Sequence, residues 1–513
     1  MENNGRYLHG RLDPGLESTL QLVEGVEVPD TGSFLSSLEA PSPESSRGEN
    51  VVVTGIRSFN EATVKLSHLP TELLHQISSY LRPCDLIKLG KTCNVLSKVA
   101  NTDSLWRHLV QENVPGVELD SPSPCRSFKE LYKAHDPHWF LPKNKLWFAD
   151  VPSFGQLIIA KYDPKTGSIL LQRLVAEKEA PQFFYWGDDN KVIVHCFEPR
   201  VHLYQWFRRL DLDAYSHRSL SHMGEAERRL KGEVPMPATR GDVSLVRVQV
   251  RVLESKFMLA RSTGLENSSR RLLKDKWPPP NIPAKSYVDR PTVPDQSSTD
   301  RWGRPENRSQ INEHSFRVRQ WMDMNGQVRI GDEVQTWSTL DAKFYTPTEY
   351  SPYQGIFVGD YSGHGTEFLL IDHRDGPFKY DQSDILEQEE DESLEAWEAR
   401  KKHARIYQGS LRAVKLTGDP NVPRGEITWI ADDIGEKGFV RFGEKTWPGA
   451  RIVKSLGQIA NVGFQNPKYI ETQLIMISHD LLAQYWEPFG HISFFRRVHI
   501  DEFIKPERGG STV

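Results

Sequence analysis

The chain has 513 residues, 26% of them charged, and a formal net charge of −5. That length suits two or three domains of ~100–200 residues, and the charge balance excludes a global basic field of the kind that holds nucleic acid. The four cysteines, Cys84, Cys93, Cys125 and Cys196, form no CxxC pair and no Cys/His cluster at zinc spacing, so reduced thiols, no metal site and no cofactor are expected. The first residues lack a basic start followed by an apolar run, so no secretory signal is expected. Apolar runs such as Leu157–Ala160, Phe368–Ile371 and Leu474–Ile477 fall far below the ~18 residues that span a bilayer. A cytoplasmic or nuclear protein with no membrane partner is the expectation.

Residues 1–60 are rich in Ser, Pro, Gly and Glu and read as a disordered tail. The stretch Leu66–Val110 then turns helical. Pro70 suits a first helical position, where its missing N–H costs nothing. Leu73, Leu74, Ile77 and Leu81 follow at three- and four-residue spacing and form one apolar stripe. Arg82-Pro83 ends that helix, Asp85 caps a second carrying Leu86 and Leu89, Val95, Leu96 and Val99 mark a third, and Asp103 caps a fourth bearing Leu105, Trp106 and Leu109. Helices this short cannot bury so many apolar residues against one another, so some must meet another chain.

The residue identities resemble the F-box, the Skp1-binding motif of Skp1–cullin–F-box ubiquitin ligases. Leu69, Pro70, Glu72, Leu73 and Leu74 match its LPxELL, Asp85, Leu86, Leu89 and Cys93 its DLxxLxxxC, and Leu105-Trp106 its closing LW. The resemblance places an F-box at 64–112. It implies Skp1, and through it a cullin–RING ligase, as partner, contacted by Leu66, Leu69, Pro70, Leu73, Leu74, Ile77, Leu81, Leu86, Leu89 and Trp106.

A helix at 122–136, with Phe128, Leu131 and Tyr132 at helical spacing, joins this module to a strand-rich remainder. Leu157–Tyr162 and Ser168–Leu174 flank a DPKTG turn. Phe183–Trp186 and Val192–Phe197 form a second pair, Val246–Val252 alternates as a half-buried strand, and Asn325-Gly326 suits a type I′ hairpin. Strand-like runs continue at Gly355–Asp360, Glu367–Asp372, Ser410–Thr417, Ile427–Ala431, Arg451–Ala460, Glu471–Ile477 and His491–Val498. Many short strands without alternating helices predict an antiparallel sheet closed into a barrel or sandwich, which also removes exposed edges. The fold class expected is α+β multidomain. A small all-α F-box precedes a mostly antiparallel β-barrel-like domain at 137–503, with insertions near 264–312 (Pro-rich) and 376–404 (acidic, then basic) and a tail at 504–513.

Two stretches of the remainder draw attention. In Gly355–Ile371, GDYSG puts Ser362 fourth where a nucleophile elbow needs it third, and His364 has no second ligand at metal spacing. In Leu411–Ile430, TGDPN is a tight turn in which Asp and Asn side chains bond nearby amides. Catalysis finds no support. The two stretches resemble the paired elements of the F-box only protein 31 family: Gly359, Tyr361, His364, Gly365 and Glu367 match the first, and Lys415, Thr417, Gly418, Asp419, Pro420, Asn421 and Pro423 the second. The resemblance spans roughly Leu66 to the C-terminus, with 200–350 departing from it.

The resemblance implies a non-catalytic substrate receptor that docks Skp1 and captures a protein, by its C-terminal end, in the barrel for ubiquitination. Tyr361, His364, Gly365, Glu367, Lys415, Thr417, Asp419 and Asn421 would form the substrate pocket, with carboxylate and amide ends both open. The rival readings are an F-box scaffold outside a ligase and an enzyme built on the barrel.

Overall fold

The computed structural model describes residues 65–149, 154–178, 182–212, 229–230, 233–236, 250–261, 304–324, 327–374 and 386–505. The expected tail at 1–60, the Asn325-Gly326 turn and most of the Pro-rich insertion lie outside the described residues, as do Val246–Gln249 and most of 504–513.

Four short helices open the described chain: α1 (Thr71–Ser79), α2 (Pro83–Gly90), α3 (Asn94–Ala100) and α4 (Asp103–Gln111). Pro70 sits one position before α1, and Asp85 lies in the first turn of α2 rather than at its cap, paired with Arg82 at 2.9 Å. Asp103 begins α4, and its Oδ1 accepts the Phe128 backbone N–H at 2.8 Å. That bond ties in α5 (Phe128–His135), which Ser127 caps by accepting from the Glu130 N–H at 3.2 Å. Five residues after α5 ends, α6 (Phe140–Asn144) begins and leads into the first strand.

The strands up to residue 339 are β1 (Leu146–Ala149), β2 (Gln156–Asp163), β3 (Ser168–Lys178), β4 (Phe183–Trp186) and β5 (Asp189–His195), then β6 (Pro199–Leu210), β7 (Val234–Pro235), β8 (Val250–Arg261), β9 (Ile311–Met324) and β10 (Gln327–Thr339). All but β4 and β5 form one antiparallel sheet in the order β6-β3-β2-β1-β10-β9-β8-β7. The DPKTG turn registers Asp163 opposite Ser168, and Gly167 takes the positive φ of +68° that the tight turn requires.

The remaining strands are β11 (Gly355–Asp360), β12 (Thr366–Arg374), β13 (Ser410–Lys415), β14 (Ile427–Ala431) and β15 (Phe439–Phe442), then β16 (Arg451–Asn461), β17 (Gln465–Ser478), β18 (Leu481–Trp486) and β19 (His491–Arg497). Eight of them run in the order β11-β12-β13-β14-β16-β17-β18-β19, and β19 pairs back to β11 through Phe357–Arg497 and Gly359–Phe495. This is a closed, antiparallel eight-stranded barrel. The barrel therefore occupies 355–497, with β5 added in parallel to β19 and β4 to β5, and the other strands before residue 340 make a separate open sheet rather than part of the single barrel expected for 137–503. Strand runs read alone do not report which edges pair. A further helix, α7 (Leu394–Ile406), interrupts the barrel between β12 and β13, with Ser393 as its cap.

Alternation sorts the side chains into three apolar clusters. Phe357, Trp429 and Phe495 fill the barrel interior with Leu369, Leu411 and Leu474, as eight strands leave room only for side chains. Ile356, Val358, Leu370 and Phe494 face outward and pack against Phe148, Leu157 and Ile159 on one side of the open sheet. The opposite side of that sheet shares one cluster with the helices. Trp106 meets Tyr132 edge-on at 5.6 Å, Tyr132 stacks on Trp139 at 6.2 Å, and Trp139 meets Tyr162 at 5.7 Å. The open sheet thus packs against the helical module with one face and against the barrel with the other.

One barrel end is shut. Arg497 donates to the Gln354 carbonyl at 2.6 Å and to the carbonyls of Pro352 and His479 at 2.5 and 2.8 Å. The open mouth lies at the other end of β19, beside His491.

Candidate functional site

Two surfaces carry the residues singled out from the sequence. On the helical module, Leu66, Pro70, Leu73 and Ile77 are exposed, Leu69, Leu81 and Leu89 are half-buried, and Leu74, Leu86 and Trp106 are buried. Trp106 has no exposed surface, and its indole donates to the Ala100 carbonyl at 2.8 Å. Leu74, Leu86 and Trp106 are thus corrected from partner-facing residues to members of the module's own core: a helix of two turns buries one face inward, and these lie on it. Tyr80, 82% exposed, and Ile87 and Val95 add to the outward apolar face, though sequence reasoning did not pick them.

At the barrel mouth is a cavity of ≈ 290 Å³. Tyr361, His364, Lys415, Asp419 and Asn421, which the sequence spreads over 61 positions, all line it. Gly365, at φ +93°, shapes the 3-10 turn Ser362–His364 that carries His364, and the Tyr361 N–H donates to its carbonyl at 2.9 Å. Thr417 faces elsewhere, since its hydroxyl accepts the Phe368 N–H at 2.8 Å. Asp419 Oδ1 accepts the N–H groups of Asn421 and Val422 at 2.6 and 2.8 Å, the side-chain turn that TGDPN predicted, and Asn421 Nδ2 donates to the Ala460 carbonyl at 2.8 Å.

Behind the cavity wall sits a buried charge cluster. Lys415 Nζ lies 2.7 Å from Glu367 Oε2 and 2.6 Å from Asp419 Oδ2, and the Tyr361 ring covers it at 4.3 Å. Burial pushes Glu367 up to about 8, against the pull of Lys415. Burial would raise Asp419 too, but Lys415, the Glu367 carboxyl and the Val422 amide outweigh it and hold it at about 2. With Glu367 protonated, Lys415 and Asp419 cancel and the cluster is neutral; Lys415 is not an open cation waiting for an anion. Burial also raises the Tyr361 phenol, whose OH lies 3.0 Å from the Thr428 hydroxyl.

The other wall was not legible in the sequence. His195, Gln458 and the run holding Trp486, Phe489, His491 and Ser493 come from three separate stretches of the chain. The only local signal is the density of rings in YWEPFGH, Tyr485–His491. The Trp486 indole donates to the Ser493 hydroxyl at 3.0 Å, and its ring lies against the bare backbone of Gly457, where a Cβ would come within 2.4 Å of it. Among the described residues, no three His, Cys, Asp or Glu side chains gather as around a metal.

With this geometry in place, comparison with known proteins sorts the two surfaces. Residues 66–112 match the F-box-like family, and 46 residues are 48% identical to F-box/LRR-repeat protein 5 of Danio rerio, covering 9% of this chain and 7% of that protein. The chain thus carries an F-box-like domain at residues 66–112. Residues 337–502, which contain the whole barrel, match the family described as the Cyclin D1 binding domain. The chain is also similar to chloroplast proteins named EXECUTER 2: 26% identical over 163 residues to that of Arabidopsis thaliana, and 27% over 182 residues to that of Oryza sativa subsp. japonica. These matches cover 31% and 34% of this chain but only 22% and 25% of the relatives.

Proposed function

We propose that this chain is the substrate-receptor subunit of a Skp1–cullin–F-box ubiquitin ligase, acting in the cytoplasm or nucleus. The observation that carries the reading is the outward apolar face of α1, with Leu66, Leu73, Ile77 and Tyr80 left in solvent on an F-box-like module. Patches of that kind mark protein contacts, and the F-box pattern makes Skp1 the partner. Packing on both faces of the open sheet then holds the barrel mouth in a set direction from Skp1. A receptor needs no chemistry of its own. It raises the effective concentration of substrate lysines near the conjugating enzyme.

An F-box-like module and a Cyclin D1 binding domain in one chain support kinship with the F-box only protein 31 family, and the second description makes a cyclin one candidate substrate. Capture would use the mouth cavity, with Tyr361, His364, Lys415, Asp419 and Asn421 around a substrate's C-terminal end. A neutral cluster that already saturates Lys415 favours an uncharged end, such as a carboxamide, over a carboxylate. The test is co-expression with Skp1 and a cullin. Wild type should retain both, and L73D/I77D should lose both while the barrel stays folded. Retention of Skp1 by the double variant would overturn the docking face, and Skp1 without cullin would leave a scaffold outside a ligase.

A further inference from the structure

Two features of the mouth cavity go unused by the charge cluster. Gln458 is only 8% exposed and lines the cavity, yet its Oε1 has no hydrogen-bond partner. A buried carbonyl without a donor is costly, on the order of 1–3 kcal/mol; the oxygen is turned into the wall, and a rotation of the side-chain amide toward the cavity would let a ligand N–H relieve it. The second feature is a shelf of near-parallel rings. His491 stacks on Trp486 at 6.4 Å and 22° and on Phe489 at 6.1 Å and 18°.

Phe489 is 54% exposed, held out by the turn Glu487–Phe489 that Gly490 closes at φ +62°. The Gly490 carbonyl accepts the Ile193 N–H at 2.9 Å, which anchors the turn on β5. His195 meets His491 edge-on at 5.7 Å. Burial, then His195, pushes the His491 pKa down, so the shelf presents uncharged rings. An open aromatic face in the same cavity as a buried acceptor matches a flat side chain next to a peptide N–H, since rings stack offset or edge-on.

We infer that Gln458 and the Trp486–Phe489–His491 shelf select the substrate, Gln458 accepting an N–H from the last residue of a peptide while the shelf stacks that residue's aromatic side chain. This rests on the capture of a chain end proposed above and names the class of end captured.

The experiment uses the full chain bound to Skp1 and two acetylated hexapeptide carboxamides that differ only in their final residue, Phe or Ala, with affinities read by calorimetry. Wild type should favour the Phe peptide about tenfold. F489A should bring the Phe peptide down to the Ala peptide without changing the latter. Q458M should weaken both by about fivefold while the melting temperature holds or rises, because an unpartnered buried acceptor has been removed. Q458E, which keeps an acceptor oxygen, should restore both. If neither peptide binds wild type, capture itself is wrong and this inference falls with it. If both bind but F489A leaves the preference intact, or Q458E binds no better than Q458M, this inference alone is overturned.

Discussion

On the helical module the apolar side chains Leu66, Leu73, Ile77 and Tyr80 are left in water, whereas at the barrel mouth the ionisable side chains Glu367, Lys415 and Asp419 are taken out of it. Each arrangement is costly for an isolated chain, and each is kept for a different reason. Exposed leucines gain nothing until a partner covers them. The buried triad is offset within the fold, by mutual contacts of 2.6–2.7 Å. The first surface is therefore incomplete and separable from stability, and the second is complete and inseparable from it. Substitution should show that difference directly.

The largest effect is expected from Lys415→Met. Removing the cation of a buried pair leaves the Asp419 carboxylate uncompensated, at a cost of about 3–5 kcal/mol, so the thermal melt should drop far below wild type. A melt within a few degrees of wild type would mean that the cluster is solvated and the comparison fails. On the helical side, L73A/I77A should leave the melt nearly unchanged, since both residues are exposed. Skp1 affinity should nevertheless fall at least ~30-fold, from a loss on the order of 2 kcal/mol or more. Calorimetric titration with Skp1 beside the melt checks both halves.

Gly457→Ala should fall in between, at about 1–3 kcal/mol, because the new methyl drives into the Trp486 ring. Its melt should be lower and its peptide affinity reduced together, whereas F489A changes affinity alone.

The most diagnostic effect concerns pH. Glu367 has a folded pKa of about 8 against an ordinary 4.5, so the folded state binds more protons over that interval. Stability should then fall as pH rises from about 4.5 to about 8 and level off above. Asp419 acts in the opposite sense lower down: its folded pKa of about 2 lies below the ordinary 3.8, so its contribution is present above about 3.8 and lost as pH falls toward 2. Chemical denaturation at pH 5, 7 and 9 should show the decline in wild type and a flatter profile in Glu367→Gln. Parallel profiles would place the titration elsewhere.

The sequence by itself determined what depends on neighbours along the chain. The helices of the F-box followed from leucine spacing and Pro70, the DPKTG and TGDPN turns from their side chains, and β11 and β14 matched their apolar runs residue for residue. It also brought forward Tyr361, His364, Lys415, Asp419 and Asn421, because motif identities at the ends of strands survive in linear order. Only the tertiary structure decided that Trp106 and Leu86 face inward, that the strands divide into an open sheet and a closed barrel, and that Gln458, Trp486, Phe489 and His491 complete the cavity. Those outcomes turn on which strand edges pair across long separations, as β19 does with β11. Pairing of that kind is settled by closure of the whole barrel and by packing against the sheet, and no window of sequence contains either.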